Sequence, residues 1–238
     1  MIAAVATIKG DVDIAPLTVR HFLEQGIDLV RIAVAGEEAY ESLRDSGAIL
    51  TRDEERWHYQ QEWIDFLAAL SARDGAEWII PFDADEFWFA RKGTLAECLS
   101  SIADNYSAAI ASIWQHATWT HRYPSPLLGF RKVAYRWAPD RRISPGNHTL
   151  LTSSDISVIE GLLAIRHLPY RSYQQLRDKI SDANAVVLPQ LQAEGYSFHN
   201  GTLAELDEAD LLRFWEGWQQ HASVEDPIPL APMVKSSE

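Results

Sequence analysis

Trp78-Ile79-Ile80-Pro81-Phe82-Asp83-Ala84-Asp85-Glu86-Phe87-Trp88-Phe89 is the stretch on which the reading of this chain turns. Five apolar residues, the length of a short strand, open directly into three carboxylates and then into an aromatic run. Working outward, Ile2–Ile8 is a nearly continuous apolar segment, as expected of a strand covered on both faces. A helix is predicted over Ile14–Gln25, stopped by Gly26, followed by a strand at Leu29–Val34. A second helix, Glu37–Asp45, ends at Ser46-Gly47, and a third strand covers Ala48–Thr51. The next helix, Glu54–Arg73, carries Trp57, Ile64, Leu67, Ala68 and Leu70 at helical spacing. The pattern is β-α-β-α-β-α-β over residues 1–90, which predicts an α/β fold: a mostly parallel central sheet with helices on both faces. Ligands of such sheets bind beyond the carboxyl ends of the strands, where the acidic cluster sits.

The rest of the chain is less regular. A helix is expected at Leu95–Asn105, and strands at Ala108–Ile113, Lys132–Trp137 and Leu162–His167. Ser172-Tyr173-Gln174-Gln175 has the form of a capping box opening a helix to about Glu194, and a last helix is expected over Ala204–His221. One domain is expected over 1–222, with 223–238, rich in proline and serine, as a loose tail.

Composition is ordinary for a globular chain, 47% hydrophobic and 23% charged, and argues against a disordered one. The net charge of −13 disfavours nucleic acid as a partner, although one cation can invert the field locally for a small phosphorylated ligand. A single cysteine, Cys98, rules out an internal disulfide framework. No apolar run reaches membrane-spanning length, and the N-terminus lacks the basic region of a signal peptide. A cytoplasmic location is the simplest expectation.

Asp83, Asp85 and Glu86 pose a physical problem. Two carboxylates about 5 Å apart repel by about 3 kcal/mol at an effective dielectric near 20. Phe82, Phe87, Trp88 and Phe89 limit how much water can screen them. A hard cation, Mn²⁺ or Mg²⁺, sharing its ligands with a diphosphate would resolve the conflict. A solvated acidic turn is the plainer alternative.

The segment Trp78–Trp88 resembles the Asp-x-Asp region of GT-A-fold glycosyltransferases, above all small family-2-type members with an Asp-Ala-Asp-Glu-Phe strand end. Arg166-His167-Leu168-Pro169-Tyr170-Arg171-Ser172-Tyr173, leading into a helix with Lys179, is similar to that group's His-x-x-Tyr-Arg-Ser element. Gly146-Asn147-His148 is a third shared patch. The resemblance spans about residues 1–200 and implies a GT-A-like, Rossmann-like domain, with a nucleotide-binding half (1–90) and an acceptor-side half (91–222). It implies that Asp85 ligates the metal bridging a nucleotide-diphosphate sugar, and that Asp83 contacts the donor ribose or the same metal. A late histidine completing the metal site would be His167 first and His148 second. Gln60, Gln61 and Trp63 resemble a Gln-x-x-Trp element facing the donor.

Arg52, Arg56 and Arg171 are candidate diphosphate holders, because the guanidinium fork suits phosphate oxygens; a surface ion pair is the alternative for each. An inverting transfer needs a carboxylate base. Asp155 and Glu160 are the candidates carried forward, with Asp140 beside them, while Glu86 adjoins the expected metal. Trp119 is the candidate for stacking on an acceptor sugar. Two places depart from the family pattern: Val34-Ala35-Gly36-Glu37-Glu38 after the second strand, and Ile8-Lys9-Gly10-Asp11 after the first. The expected function is metal-dependent transfer of a sugar from a nucleotide-diphosphate donor to a glycan or other hydroxyl acceptor. Its rivals are a non-catalytic nucleotide- or sugar-binding module and a metal-dependent nucleotidyltransferase or phosphoesterase.

Overall fold

Alternation along the first strand sets the two faces of the sheet. The computed structural model describes residues 1–53, 60–182, 203 and 206–229. In β1 (Ile2–Ile8), Ile2, Ala4, Ala6 and Ile8 enter one apolar cluster, and Ala3 and Val5 enter another. That is the period of two expected when successive side chains of a strand point to opposite sides. The first cluster takes Ala15, Val19 and Phe22 from α1 (Ala15–Glu24), then Val30, Ile32 and Val34 from β2 (Leu29–Val34). Ala39 and Leu43 of α2 (Glu37–Leu43) join it. After β3 (Ile49–Arg52), α3 (Gln60–Arg73) lays Ile64, Leu67 and Ala68 on the other face. The chain then enters β4 (Trp78–Pro81), β5 (Glu86–Ala90) and α4 (Leu95–Ser101), whose Leu95 and Leu99 return to the first cluster.

The α/β fold with helices on both faces of one large sheet is the one the sequence predicts. Eight strands run in the order β3-β2-β1-β4-β8-β6-β11-β5, completed by β6 (Ala108–Gln115), β8 (Arg131–Arg136) and β11 (Val158–His167). The parallel part is β3-β2-β1-β4; β4 with β8, β8 with β6, and β5 with β11 pair antiparallel. Strands β2 and β4 flank β1 on opposite sides, and their connecting helices lie on opposite faces. The topological switch point therefore falls between β1 and β4, which marks where a crevice opens beyond the strand ends.

Gly26 ends α1 with φ +78°, and a Cβ there would lie 2.9 Å from Ala96 Cβ, so both the turn and the approach of α4 require glycine. β5 is an element the sequence reading did not separate from the acidic cluster. Its Phe87-Trp88-Phe89 run is simultaneously the aromatic wall and a strand.

The chain gathers into two compact units, the first holding Met1–Trp114 and Pro126–His167, the second Gln115–Ser125 and Leu168–Pro227. In the second unit, α5 (Tyr173–Asp182) and α6 (Glu208–His221) share a core of Tyr170, Leu176, Ile180 and Leu211. The expected capping box is half formed: Gln175 N donates to Ser172 Oγ at 3.1 Å, but Gln175 Oε1 accepts from Arg171 N at 3.2 Å instead of from Ser172 N. The tail expected to be loose from 223 starts with a paired stretch. β12 (Val224–Glu225) pairs antiparallel with β7 (His121–Arg122), and Arg122 Nε donates to Asp226 at 2.8 Å. Arg56, Trp57, the expected helix end at Glu194 and the start at Ala204 lie outside the described residues, as does 230–238. Among the described residues no helix is long and apolar enough to cross a membrane.

Asp65 of α3 reaches β9 (Arg142–Ile143), accepting from Ile143 N at 3.3 Å, with Arg142 Nε 3.5 Å away. Burial pushes its pKa from 3.8 up to about 6, against the opposing pull of those two donors. The folded state therefore holds a proton that the unfolded chain has released between these values. The protonated carboxyl's contribution is complete below the unfolded pKa and is lost as pH rises through about 6. Asp65→Asn should raise unfolding free energy at pH 7.5 by about 1–2 kcal/mol, discounted for partial exposure, and by nothing measurable at pH 3.5. Urea unfolding at the two pH values checks this; an equal effect at both would contradict it.

Candidate active site at the end of the fourth strand

The acidic turn is built by its own backbone and by α1. Glu86 N donates to Asp83 O at 3.1 Å, and Asp83 N donates to Glu86 Oε2 at 3.2 Å. Thr18 Oγ1, fully buried, donates to Ala84 O at 2.5 Å, fastening the middle of the turn to α1.

The expectation that an external cation must relieve the crowding is corrected by the structure, because the protein supplies its own. Lys132 of β8 is buried, with Nζ 2.6 Å from Asp83 Oδ2 and 2.9 Å from Glu86 Oε1. Register explains its arrival: β8 pairs with β4 as Trp78↔Arg136 and Ile79↔Tyr135, which, continued, sets Lys132 opposite Phe82. Burial alone would lower the lysine pKa, but Asp83 and Glu86 outweigh it and hold it above the ordinary lysine value. One ammonium between two carboxylates leaves a negative charge over. Glu86, the most buried, has its pKa raised by that burial, against the pull of Lys132.

The other oxygen of Asp83 is engaged as well. Gln60 Nε2 donates to Oδ1 at 3.0 Å, and Asn147 Nδ2 lies 3.4 Å from it. Gly146 N donates back to Gln60 Oε1 at 3.3 Å. Gly146 and Asn147 both have positive φ, +71° and +61°, in the 3-10 turn Pro145–Asn147. A Cβ at Gly146 would lie 2.9 Å from the His148 ring, so this corner needs glycine. Asp83 is thus an internal cross-link, its oxygens turned to Lys132, Gln60 and Asn147. Gln60 does reach the site, but through Asp83.

Asp85 and His167 meet. His167 Nε2 lies 3.4 Å from Asp85 Oδ1, and Asp85 is buried. The cause is the β5–β11 pairing, which sets His167 opposite Glu86. His167 Nδ1 is buried with no hydrogen-bond partner among the described residues. His148 does not join them. Its Nδ1 lies 2.7 Å from Arg131 O, and no group of three histidine, cysteine or acidic side chains able to hold a metal occurs among the described residues.

The remaining candidates are dispersed. Arg52 forks onto Glu37 (2.6 and 3.2 Å) and stacks on Tyr40, 3.7 Å from the ring centre. This pair lines an open depression of about 240 Å³ with Val34 and Gly36, beyond the ends of β2 and β3. Its partner is the glutamate of the segment that departs from the family pattern. Arg171 and Trp119 belong to the second unit, where Arg171 Nη1 donates to Leu168 O at 3.3 Å and Trp119 is half-buried on the bend before β7.

Of the two base candidates, Glu160 stands away from the acidic turn along β11. Glu160 is exposed and paired with Arg131 at 2.9 Å. It stands seven residues before His167 on β11, about 20 Å at the rise of a strand, whereas a base must lie within hydrogen-bond reach. Asp155 is exposed still earlier in the chain. Asp140 accepts from Thr152, Ser153 and Ser154, which hold its pKa down to about 2, too low for a useful base.

No protein-family model matches the chain, and no curated protein matches it in sequence. Solved structures give distant likenesses. A Bacillus anthracis structure assigned as a glucose-1-phosphate thymidylyltransferase, in complex with sucrose, is 7% identical over 97% of this chain and 88% of that one, with a TM-score of 0.34. A CMP:2-keto-3-deoxy-manno-octonic acid synthetase with CTP is 12% identical over 90% and 85%, TM-score 0.33. A UDP-glucose pyrophosphorylase with UDP-glucose is 11% identical over 70% and 75%, TM-score 0.31. Likenesses at this level carry no functional assignment.

Removing the ammonium leaves the buried Glu86 and the half-buried Asp83 without their shared counter-charge. Lys132→Met should lower unfolding free energy by about 3–5 kcal/mol, the cost typical of breaking a buried pair. Urea unfolding at pH 7 measures it, and a loss below about 1 kcal/mol would mean that the carboxylates are neutralised by something else.

Proposed function

We propose that the chain binds a nucleotide-diphosphate sugar through one divalent cation, Mn²⁺ or Mg²⁺, held by Asp85 and His167, and passes the sugar to a hydroxyl acceptor. The observation that carries this reading is the Asp85–His167 pair, 3.4 Å apart at the carboxyl end of β4 beside the switch point. Neighbouring ligands on an octahedral ion with bonds of about 2.1 Å stand about 3 Å apart, so the two donors fit one ion. Ions of this kind are commonly held by one or two protein groups, with waters and substrate phosphates completing the shell. A two-donor set therefore suits a site that ligand completes.

When bound, the ion would neutralise the charge that develops on the leaving diphosphate. This chain's residues then have separate tasks. Asp85 and His167 hold the ion; Thr18, through Ala84, and Lys132, through Asp83 and Glu86, hold the turn that aims Asp85. The aromatic strand behind it, Phe87 and Trp88, keeps the inner side of the turn dry.

A non-catalytic nucleotide-binding module is the second reading. It is favoured by the Glu37–Arg52 fork, which engages an arginine on the rim, and by the distance of Glu160 from the turn. A two-metal phosphoesterase or nucleotidyltransferase needs a further ligand cluster, and the described residues hold none. Product analysis with sugar nucleotides separates the three: free nucleoside diphosphate marks transfer, nucleoside monophosphate or pyrophosphate the two-metal chemistry, and binding without turnover the module.

In calorimetry with UDP or GDP and Mn²⁺, Asp85→Ala should abolish metal-dependent binding with the fold intact. His167→Ala should weaken metal affinity about 10- to 100-fold. Nucleotide affinity unchanged in the Asp85 variant, or the absence of any metal-dependent nucleotide binding in the wild type, would end this reading.

A further inference from the structure

We infer that Lys132 is a resident cation closing a preformed two-carboxylate site, so that Asp83 and Glu86 never take a metal ion of their own. The inference concerns the same acidic turn as the donor site but does not require that reading to hold. Three observations carry it. First, the ammonium lies 2.6 Å from Asp83 and 2.9 Å from Glu86, one positive charge shared by two carboxylate oxygens, which is the arrangement a metal ion would otherwise adopt.

Second, the carboxylates are oriented independently of the lysine. Asp83 Oδ1 is held by Gln60 and Asn147, and Glu86 Oε2 by the Asp83 backbone N–H. Taking the lysine away leaves both free oxygens facing the space that Nζ occupied. Third, Asn147 is 1% exposed, points its amide into this cluster, and its Oδ1 has no hydrogen-bond partner among the described residues. Its amide nitrogen is the group that meets Asp83, so Asn147 braces that carboxylate whether or not the lysine is present.

Lys132 is therefore a positioning residue with a charge role. It keeps Asp83 an internal strut and confines any exchangeable cation to Asp85 and His167. Its replacement by an uncharged side chain of similar length should expose a cation site absent from the wild type.

The test counts tightly bound Mn²⁺ per chain by electron paramagnetic resonance on the full chain, wild type against Lys132→Met. The expected result is one more Mn²⁺ in the variant than in the wild type, from one to two if the donor site binds its ion, or from none to one if that separate reading fails. A Lys132→Met chain that is unfolded alone but recovers its circular dichroism in Mn²⁺ gives the same support. Combining Lys132→Met with Glu86→Gln should return the count to the wild-type value and restore folding without metal. An unchanged count in a folded Lys132→Met chain overturns the inference. Failure of Mn²⁺ to recover an unfolded single variant overturns it too, as does loss of the fold in both variants, because the lysine's stem and not its charge would then be what the site needs.

Discussion

An ammonium group buried between two carboxylates sets the terms for everything near the rim of this sheet. Glu86 starts β5, Asp83 follows the end of β4, and Lys132 comes from β8, so one shared charge ties three strands together at their meeting point. Such a group is stable only while it is paired, since Lys132 and Glu86 lie where water cannot stand in for a partner. Gln60 and Asn147 extend the same network to the start of α3 and the Pro145–Asn147 turn. Three other stretches of chain thus converge on the carboxylates of the acidic turn, Asp83 and Glu86, and Asp85 is the acid of the three that faces His167.

Strand register does the rest. His167 has no flexible tether to Asp85; it arrives because β11 lies against β5 with His167 opposite Glu86. A slip of one residue would turn His167 to the far side of the sheet. The short connection from Glu86 back to Asp85 is held by the turn's own hydrogen bonds and by Thr18, so both members of the pair sit on fixed supports.

Much of the frame was legible in the sequence, because its signals are local. The β-α-β-α-β-α-β order follows from apolar runs and from helical spacing ended by glycine. The meeting of Asp85 with His167 was reached by resemblance, and the β5–β11 register supplies its physical cause. Other features are products of tertiary register. A lysine in an apolar strand, Arg131-Lys132-Val133-Ala134-Tyr135, was the available sign that a buried anion needed a partner, since lysine is almost never fully buried unpaired. Which carboxylate it would meet depends on the β4–β8 pairing, which no local pattern encodes. In the Gly146-Asn147-His148 patch the histidine drew attention as a ligand, yet the asparagine reaches the site, because a left-handed turn directs its amide to Asp83. Glu160 and Asp155 were chosen by residue type alone; Glu160 lies near the far end of β11 from His167, and Asp155 precedes that strand.

The pairing of β5 with β11 has a kinetic side. Its partners, such as His167 and Glu86, are about as far apart in sequence as the β1–β4 partners Ile2 and Trp78, so each pairing closes a long loop. Chain order is what separates them: during synthesis β1 to β4 and the acidic turn emerge well before β11. A nascent chain therefore carries Asp85 before its imidazole partner exists, and the pair waits on the arrival of β11.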